Sequence, residues 1–333
     1  MAPPTLAEAP PPHISVVVPT HLRPALLERC LQALCRQSIG AQAYEIVVVD
    51  DGRQDAACDV VHRLAARDGM PALRYLRPAS GRGPACARNL GWRAARAPLI
   101  AFTDDDTVPD THWLRYGGLA MSNGQPAVRG TVRVPVDGTP TDHARMTQGL
   151  EQAEFVTANC FVRRSALQAV DGFDERFLRA WREDSDLHFK LLEAYGEVPK
   201  ASLAVVQHPV REAPFGISLK QQANMMFDAL LFKKHPELYR SKVGRLHAPP
   251  SYYAIVLGTL LALLFALAGE GALAGSSCAA VVALVLWIAA RRLRGTAHTR
   301  EHVAEMLLTS AAIPFLSLYW RIKGGLRFKV PFF

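Results

Sequence analysis

The chain has 333 residues, half of them hydrophobic and 20% charged, with a formal net charge of +8. That length holds one large domain or two ordinary ones, and burying a core is no obstacle. A basic balance suits nucleic acid, an anionic membrane surface or acidic substrates. The sequence has no nucleic-acid module, and its basic residues flank an apolar tail after residue 250. The membrane surface is therefore the better partner.

The six cysteines fall at irregular spacings, with no C-x-x-C pair and no zinc pattern. That usage fits a reducing compartment. Met1 to Pro12 is rich in Pro and Ala and lacks a basic start followed by an apolar core. Residues 1–13 are expected to be a disordered lead-in rather than a signal peptide, leaving the folded part in the cytosol.

From Ile14 onward, apolar runs alternate with helical patterns. A β-branched run over 14–18 predicts a buried strand. Leu26, Leu27, Cys30, Leu31 and Leu34 have helical spacing and predict a helix over 26–37. A second buried strand is predicted at 44–49, a helix at 56–67, a short strand at 73–76, a helix at 84–97 and a strand at 99–103. This alternation predicts an α/β fold, a mainly parallel sheet with helices on both faces. Ligands of such sheets bind beyond the carboxyl ends of the strands. Thr20, Asp50, Asp51 and Asp104 to Asp106 fall at those ends.

The tail differs in kind. Residues 252–268 carry no charge, Gly269-Glu270-Gly271 interrupts, and 272–290 are again uncharged. Such a pair predicts a transmembrane hairpin, or alternatively a buried soluble helix pair. Lys242 and Arg245 precede it, and Arg291, Arg292 and Arg294 follow. Both flanks are then cytoplasmic. A third apolar stretch, 306–320, contains Pro314 and is short; it reads as an interfacial or re-entrant helix or as a third span. The chain is thus expected in the inner (cytoplasmic) membrane, with residues 14–245 as an α/β domain on the cytoplasmic side and 246–333 as its anchor.

Three successive carboxylates at a strand end repel one another, and a divalent cation offsets that cost. On an extended chain Asp104 and Asp106 face the same way. The alternative is an acidic turn capping the next helix. Gly81-Arg82-Gly83, with Arg88 in the following helix, could approach phosphate. It matches neither the P-loop nor the G-x-G-x-x-G fingerprint. Glu183, Asp184 and Asp186 begin an amphipathic helix, where they either cap it or, for Asp184, serve as a general base. Trp181 is either an acceptor-stacking residue or a core tryptophan. His208 follows an apolar run and is either a metal ligand or an ordinary histidine.

Together these residues resemble glycosyltransferase family 2, in order from Ile14 to His208. The carriers are SVVVPT at 15–20 with Arg23, VVVDDG at 47–52, ARNLG at 87–91, IAFTDDD at 100–106 with Pro109, DGFDE at 171–175, and EDSDL at 183–187. The resemblance implies a GT-A fold and an inverting, metal-dependent, non-processive transferase. It implies that Pro19, Thr20, Arg23, Asp51, Arg82, Arg88, Asp104 and Asp105 bind a nucleotide-sugar, with uridine as the base. It implies that Asp106 and His208, with Asp104, hold Mn2+ or Mg2+, that Asp184 is the base, and that Trp181 and Glu183 lie toward the acceptor. Asp171 stands where the family has a glycine, and no Q-x-x-R-W motif follows, which opposes a polymer-extruding synthase. The apolar tail suggests a lipid-linked or cell-envelope glycan acceptor, and residues 209–219 could close over the donor. A sugar-nucleotide nucleotidyltransferase and a non-catalytic membrane scaffold are the rival readings.

Overall fold

A computed structural model of the protein describes residues 11–52, 54–79, 83–244 and 246–332. Arg82, expected at the phosphate, Arg245, expected to flank the tail, and residues 1–10 of the expected lead-in lie outside them. The chain forms two compact units. The first is everything up to Pro135 together with Leu150–Pro209; the second is Val136–Gly149 together with Val210–Phe333.

The first unit is built on an eight-stranded sheet. Its strands are β1 (Ile14–Thr20), β2 (Tyr44–Asp50), β3 (Ala72–Leu76), β4 (Leu99–Phe102), β5 (Val108–Pro109), β6 (Ala127–Arg133), β7 (Cys160–Arg163) and β8 (Lys200–Gln207). They lie in the order β3-β2-β1-β4-β7-β6-β8-β5. The first four are mutually parallel, as the strand and helix alternation predicts. From β7 outward the sheet is mixed, with β7 antiparallel to both β4 and β6 and β8 parallel to β6.

β1 and β2 are buried along their whole length because both lie inside the sheet with helices on each face. Helix α1 (Pro24–Leu34) turns Leu27, Cys30, Leu31 and Leu34 inward, and α2 (Ala56–Ala65) turns in Val60, Val61 and Leu64 against the same sheet face. Helix α3 (Pro84–Ala94) covers the other face with Ala85 and Trp92, beside Phe102 and Phe173. Helix α4 (Trp113–Met121) returns to the first face, burying Trp113, Leu114 and Met121. Burying such apolar side chains stabilises each by about 1.5–3 kcal/mol, so alternation alone commits the chain to this layering.

α3 stops at Ala94 rather than Ala97. The Arg96 N–H donates to Glu45 Oε1 at 2.6 Å and the Ala97 N–H to Ser15 Oγ at 3.0 Å. Those side-chain acceptors sit on β1 and β2 and draw the chain into extended form. Pro98 also disfavours helix in the residue before it.

In the second unit the expected hairpin forms helices Pro250–Leu267 and Gly271–Leu293, with Gly269 at the turn in a left-handed conformation (φ 78°). The third apolar stretch is longer than 306–320: it is one 29-residue helix, Arg300–Phe328, with Pro314 inside. The charges that end the apolar run do not end the helix. Arg321 turns inward and donates to the Leu246 carbonyl at 3.0 Å, while Lys323 lies 4.5 Å from the centre of the Trp320 ring. All three helices are long and apolar enough to cross a membrane. Only 11% of the apolar window in each of the first two is buried within the protein, so rows of leucine such as Leu257, Leu260, Leu263 and Leu264 face outward.

Candidate functional site

The aspartate triplet lies just past the end of β4. Its turn is held through the Asp104 carbonyl, which accepts from the Thr107 N–H at 3.2 Å, from Thr107 Oγ1 at 2.8 Å and from Cys30 Sγ at 3.4 Å. The nearest partner of each side chain is different. Asp104 Oδ1 accepts from Arg88 Nη2 at 2.7 Å. Asp105 is buried and accepts from Thr20 Oγ1 at 2.7 Å and from Arg23 Nη1 at 3.2 Å. Asp106 Oδ1 lies 3.5 Å from His208 Nε2. Burial pushes the Asp105 carboxyl up to about 6, against the opposing pull of Arg23 and Thr20.

Asp104, Asp106 and His208 offer ligand atoms that all lie within 4.8 Å of one another. The strand register explains how residues so far apart in sequence meet. β5 pairs antiparallel with β8, with Val108 opposite Gln207. That pairing sets the residue after β8 beside the residues before β5. The His208 N–H donates to the Arg133 carbonyl at 2.7 Å, which fixes its backbone. Its Nδ1 is buried without a hydrogen-bond partner. Two carboxylates and an imidazole are a suitable donor set for Mn2+ or Mg2+, and a buried unsatisfied ring nitrogen marks a histidine placed at some cost. These residues fit a divalent cation.

Beyond β2, Asp51 accepts from His21 Nδ1 at 2.6 Å and from the Gly83 N–H at 3.0 Å. Asp50 turns the other way: it accepts from Tyr75 Oη and from the Gly52 N–H, each at 2.8 Å, and closes the turn. Gly83 has φ 86°, and a Cβ there would stand 2.5 Å from the Leu178 carbonyl oxygen. Pro19 is buried inside β1, opposite Val49 in the register.

The helix Glu183–Tyr195 starts after Arg182, a non-glycine residue at φ 74°. Asp184 Oδ1 accepts from the N–H of the next residue, Ser185, at 2.6 Å. Glu183 is buried and accepts from Arg88 Nη1 at 3.0 Å. Burial pushes the Glu183 carboxyl up to about 7, with Arg88 pulling against it. Burial also raises the Asp184 carboxyl above the ordinary carboxylate range. The Trp181 indole N–H is buried without a partner, and the Arg182 guanidinium lies 4.9 Å from the centre of its ring.

Sequence reasoning grouped Arg88 with the phosphate contacts. In the structure Arg88 is 3% exposed and bridges Asp104 to Glu183. No spacing signal reports such a bridge, because its ends lie 16 and 95 positions from Arg88. Asn89 was missed as well. It donates to the Phe173 carbonyl at 2.8 Å and to Glu175 at 2.9 Å, which ties the DGFDE turn to α3.

Residues 15–172 match the family model described as Glycosyl transferase family 2. Glycosyltransferase AglE of Haloferax volcanii is 27% identical over 223 residues, 63% of this chain and 71% of that protein. Validoxylamine A glucosyltransferase of Streptomyces hygroscopicus is 37% identical over 116 residues, 35% of this chain and 27% of that protein. Dolichyl-phosphate beta-glucosyltransferase of Drosophila melanogaster is 33% identical over 109 residues, 31% of this chain and 33% of that protein. The chain therefore spans most of the first relative and about a third or less of the other two. Among solved structures, the mannosyltransferase PcManGT of Pyrobaculum calidifontis, determined with GDP-mannose and Mn2+, shares the fold. The superposition has a TM-score of 0.55 at 17% identity and covers 94% of this chain and 87% of that one. The matched segment begins on β1, crosses β2 and β4 and includes the aspartate triplet, so the strand-end residues from Thr20 to Asp106 lie within the part of the chain that matches glycosyltransferase family 2, and the chain has a GT-A fold.

Proposed function

We propose that the protein transfers a sugar from a nucleotide-diphosphate sugar, with uridine as the base, to a hydroxyl of a lipid-linked or cell-envelope glycan, inverting the anomeric configuration. The observation that carries this reading is the convergence of Asp104, Asp106 and His208 within 4.8 Å at the carboxyl edge of the sheet. Those three residues would hold Mn2+ or Mg2+. When bound, the cation stabilises negative charge on the departing nucleoside diphosphate. Thr20 and Arg23 support the donor side by holding Asp105, and Asp51 supports the nucleoside from the turn after β2. Asp184 takes the proton from the acceptor hydroxyl, whose oxygen then attacks the anomeric carbon from the face opposite the leaving group. A raised carboxyl pKa suits that role, since a base works best when matched to the working pH. Glu183 acts at one remove, by holding Arg88 against Asp104, and Trp181 is the candidate platform for an acceptor ring.

The membrane part of the proposal rests on the three apolar helices and on the basic residues at their flanks. It places the protein in the cytoplasmic membrane with the first unit on the cytoplasmic side. The name of the dolichyl-phosphate relative supports a lipid-linked acceptor. A screen of nucleotide-sugars with Mn2+ by calorimetry, followed by product analysis, tests the reading. We expect metal-dependent binding, release of a nucleoside diphosphate and an inverted linkage by NMR. Release of pyrophosphate, or a retained configuration, overturns it.

A further inference from the structure

The second unit contains a cavity of about 700 Å³ whose lining includes none of the residues assigned above to sugar transfer. It is lined by Leu246, His247, Pro249, Pro250, Trp287 and Arg291 among others. Helix Pro250–Leu267 begins at this cavity and helix Gly271–Leu293 finishes there, so it lies at one end of both. That end carries Arg291, Arg292 and Arg294, the charge pattern of a cytoplasmic boundary.

The two neighbouring arginines are used differently. The Arg292 guanidinium is committed within the protein, to Asp142 at 2.7 Å, Thr309 at 2.7 Å and Ser310 at 3.2 Å. The Arg291 guanidinium lies at the cavity, 4.8 Å from the centre of the Trp287 ring one turn earlier. Among the described residues no carboxylate pairs with it. A guanidinium spread over an aromatic face keeps its outer N–H groups for a planar or tetrahedral oxyanion. Tryptophan at this depth marks the headgroup level of a bilayer. The positive end of the helix Pro250–Leu267 dipole points into the same space. The remaining walls are mostly apolar, which suits a ligand that continues into hydrocarbon and not a free nucleotide or phosphate.

We propose that this cavity binds the phosphate headgroup of an anionic phospholipid of the cytoplasmic leaflet, with Arg291 as the contact that selects charge. The proposal rests on the membrane reading above. It adds a lipid site built from residues other than those of the sugar-transfer site, seated where the two apolar helices enter the bilayer.

The full chain is reconstituted into phosphatidylcholine vesicles that contain either brominated phosphatidylglycerol or brominated phosphatidylcholine. Bromine quenches nearby tryptophan, and the difference from W287F isolates the Trp287 signal. We expect the anionic lipid to quench Trp287 preferentially. R291Q should lower that preference roughly fivefold, the factor one basic side chain supplies at an anionic surface. R327Q, which removes a cation elsewhere in the unit, should leave it unchanged. Equal quenching by both lipids overturns the proposal, and so does an equal loss in R327Q, which would report leaflet charge alone. Failure of the wild type to float with vesicles overturns the membrane reading itself, and that result is distinct from insertion without lipid preference.

Discussion

Arg88 and Glu183 form a buried ion pair at 3.0 Å, and the same guanidinium holds Asp104 at 2.7 Å. One side chain of α3 thus ties the N-terminus of helix Glu183–Tyr195 to the turn that presents the triplet. Removing one member of such a pair strands the other charge. R88M should therefore destabilise the protein by about 3–5 kcal/mol. R88K keeps the charge but loses the fork, so it should fall between R88M and wild type. Chemical denaturation of the three proteins checks this, and an R88M unfolding midpoint equal to wild type would show that the bridge contributes nothing.

The donor set predicts a graded response. D106A should abolish Mn2+-dependent binding of the nucleotide-sugar, because Asp106 is the buried carboxylate of the donor set and lies 3.5 Å from His208. H208A removes a single neutral ligand and should weaken that binding about tenfold, equivalent to ~1.4 kcal/mol. Calorimetry with and without EDTA separates the metal-dependent part. Donor binding by D106A that still responds to EDTA would remove Asp106 from the ligand set.

Asp184 should govern the acid side of the pH profile. A general base acts only when deprotonated, and burial raises this carboxyl above its ordinary value. The rate should therefore fall with decreasing pH at a higher pH than a free aspartate would give. D184N should lower kcat by about 10²- to 10⁴-fold while donor affinity holds. Profiles of kcat/KM against pH for both proteins make the comparison, and a residual D184N activity that keeps the same acid limb would assign the titration to another group.

Gly83 is placed where a side chain does not fit. Its φ is 86°, and an added Cβ would meet the Leu178 carbonyl oxygen at 2.5 Å. Its N–H also holds Asp51 at 3.0 Å. G83A should cost about 1–3 kcal/mol of stability and weaken donor binding at the same time. Thermal melts and donor titrations on one preparation check both, and unchanged values in both would mean that the loop relaxes freely.

The carboxyl-end residues of β1, β2 and β4 were legible because each follows a run of buried apolar residues, and a run of that kind fixes where a strand stops. The apolar tail was legible for a similar reason, as two uncharged stretches separated by three residues. The length of the last helix was not. Arg321 and Lys323 read as its end, and only packing shows one turned inward and the other lying over an aromatic ring. The compact units were equally hidden: residues Val136–Gly149 join Val210–Phe333 rather than their chain neighbours, through contacts such as Asp142 with Arg292.

Apolar periodicity and the polar residues that interrupt it are local properties, so the sequence by itself determined the parallel half of the sheet, the strand-end position of Thr20, Asp51 and the triplet, and the apolar character of the tail. The tertiary structure alone decided which aspartate meets which partner. Asp104 turns to Arg88, Asp105 to Thr20 and Arg23, and Asp106 to His208. Those choices depend on the two-residue strand β5 pairing with β8 across almost 100 positions and on an arginine buried between two elements. Long-range register and the direction of a buried charge are set by the sum of contacts around them, and no local window of sequence contains that sum.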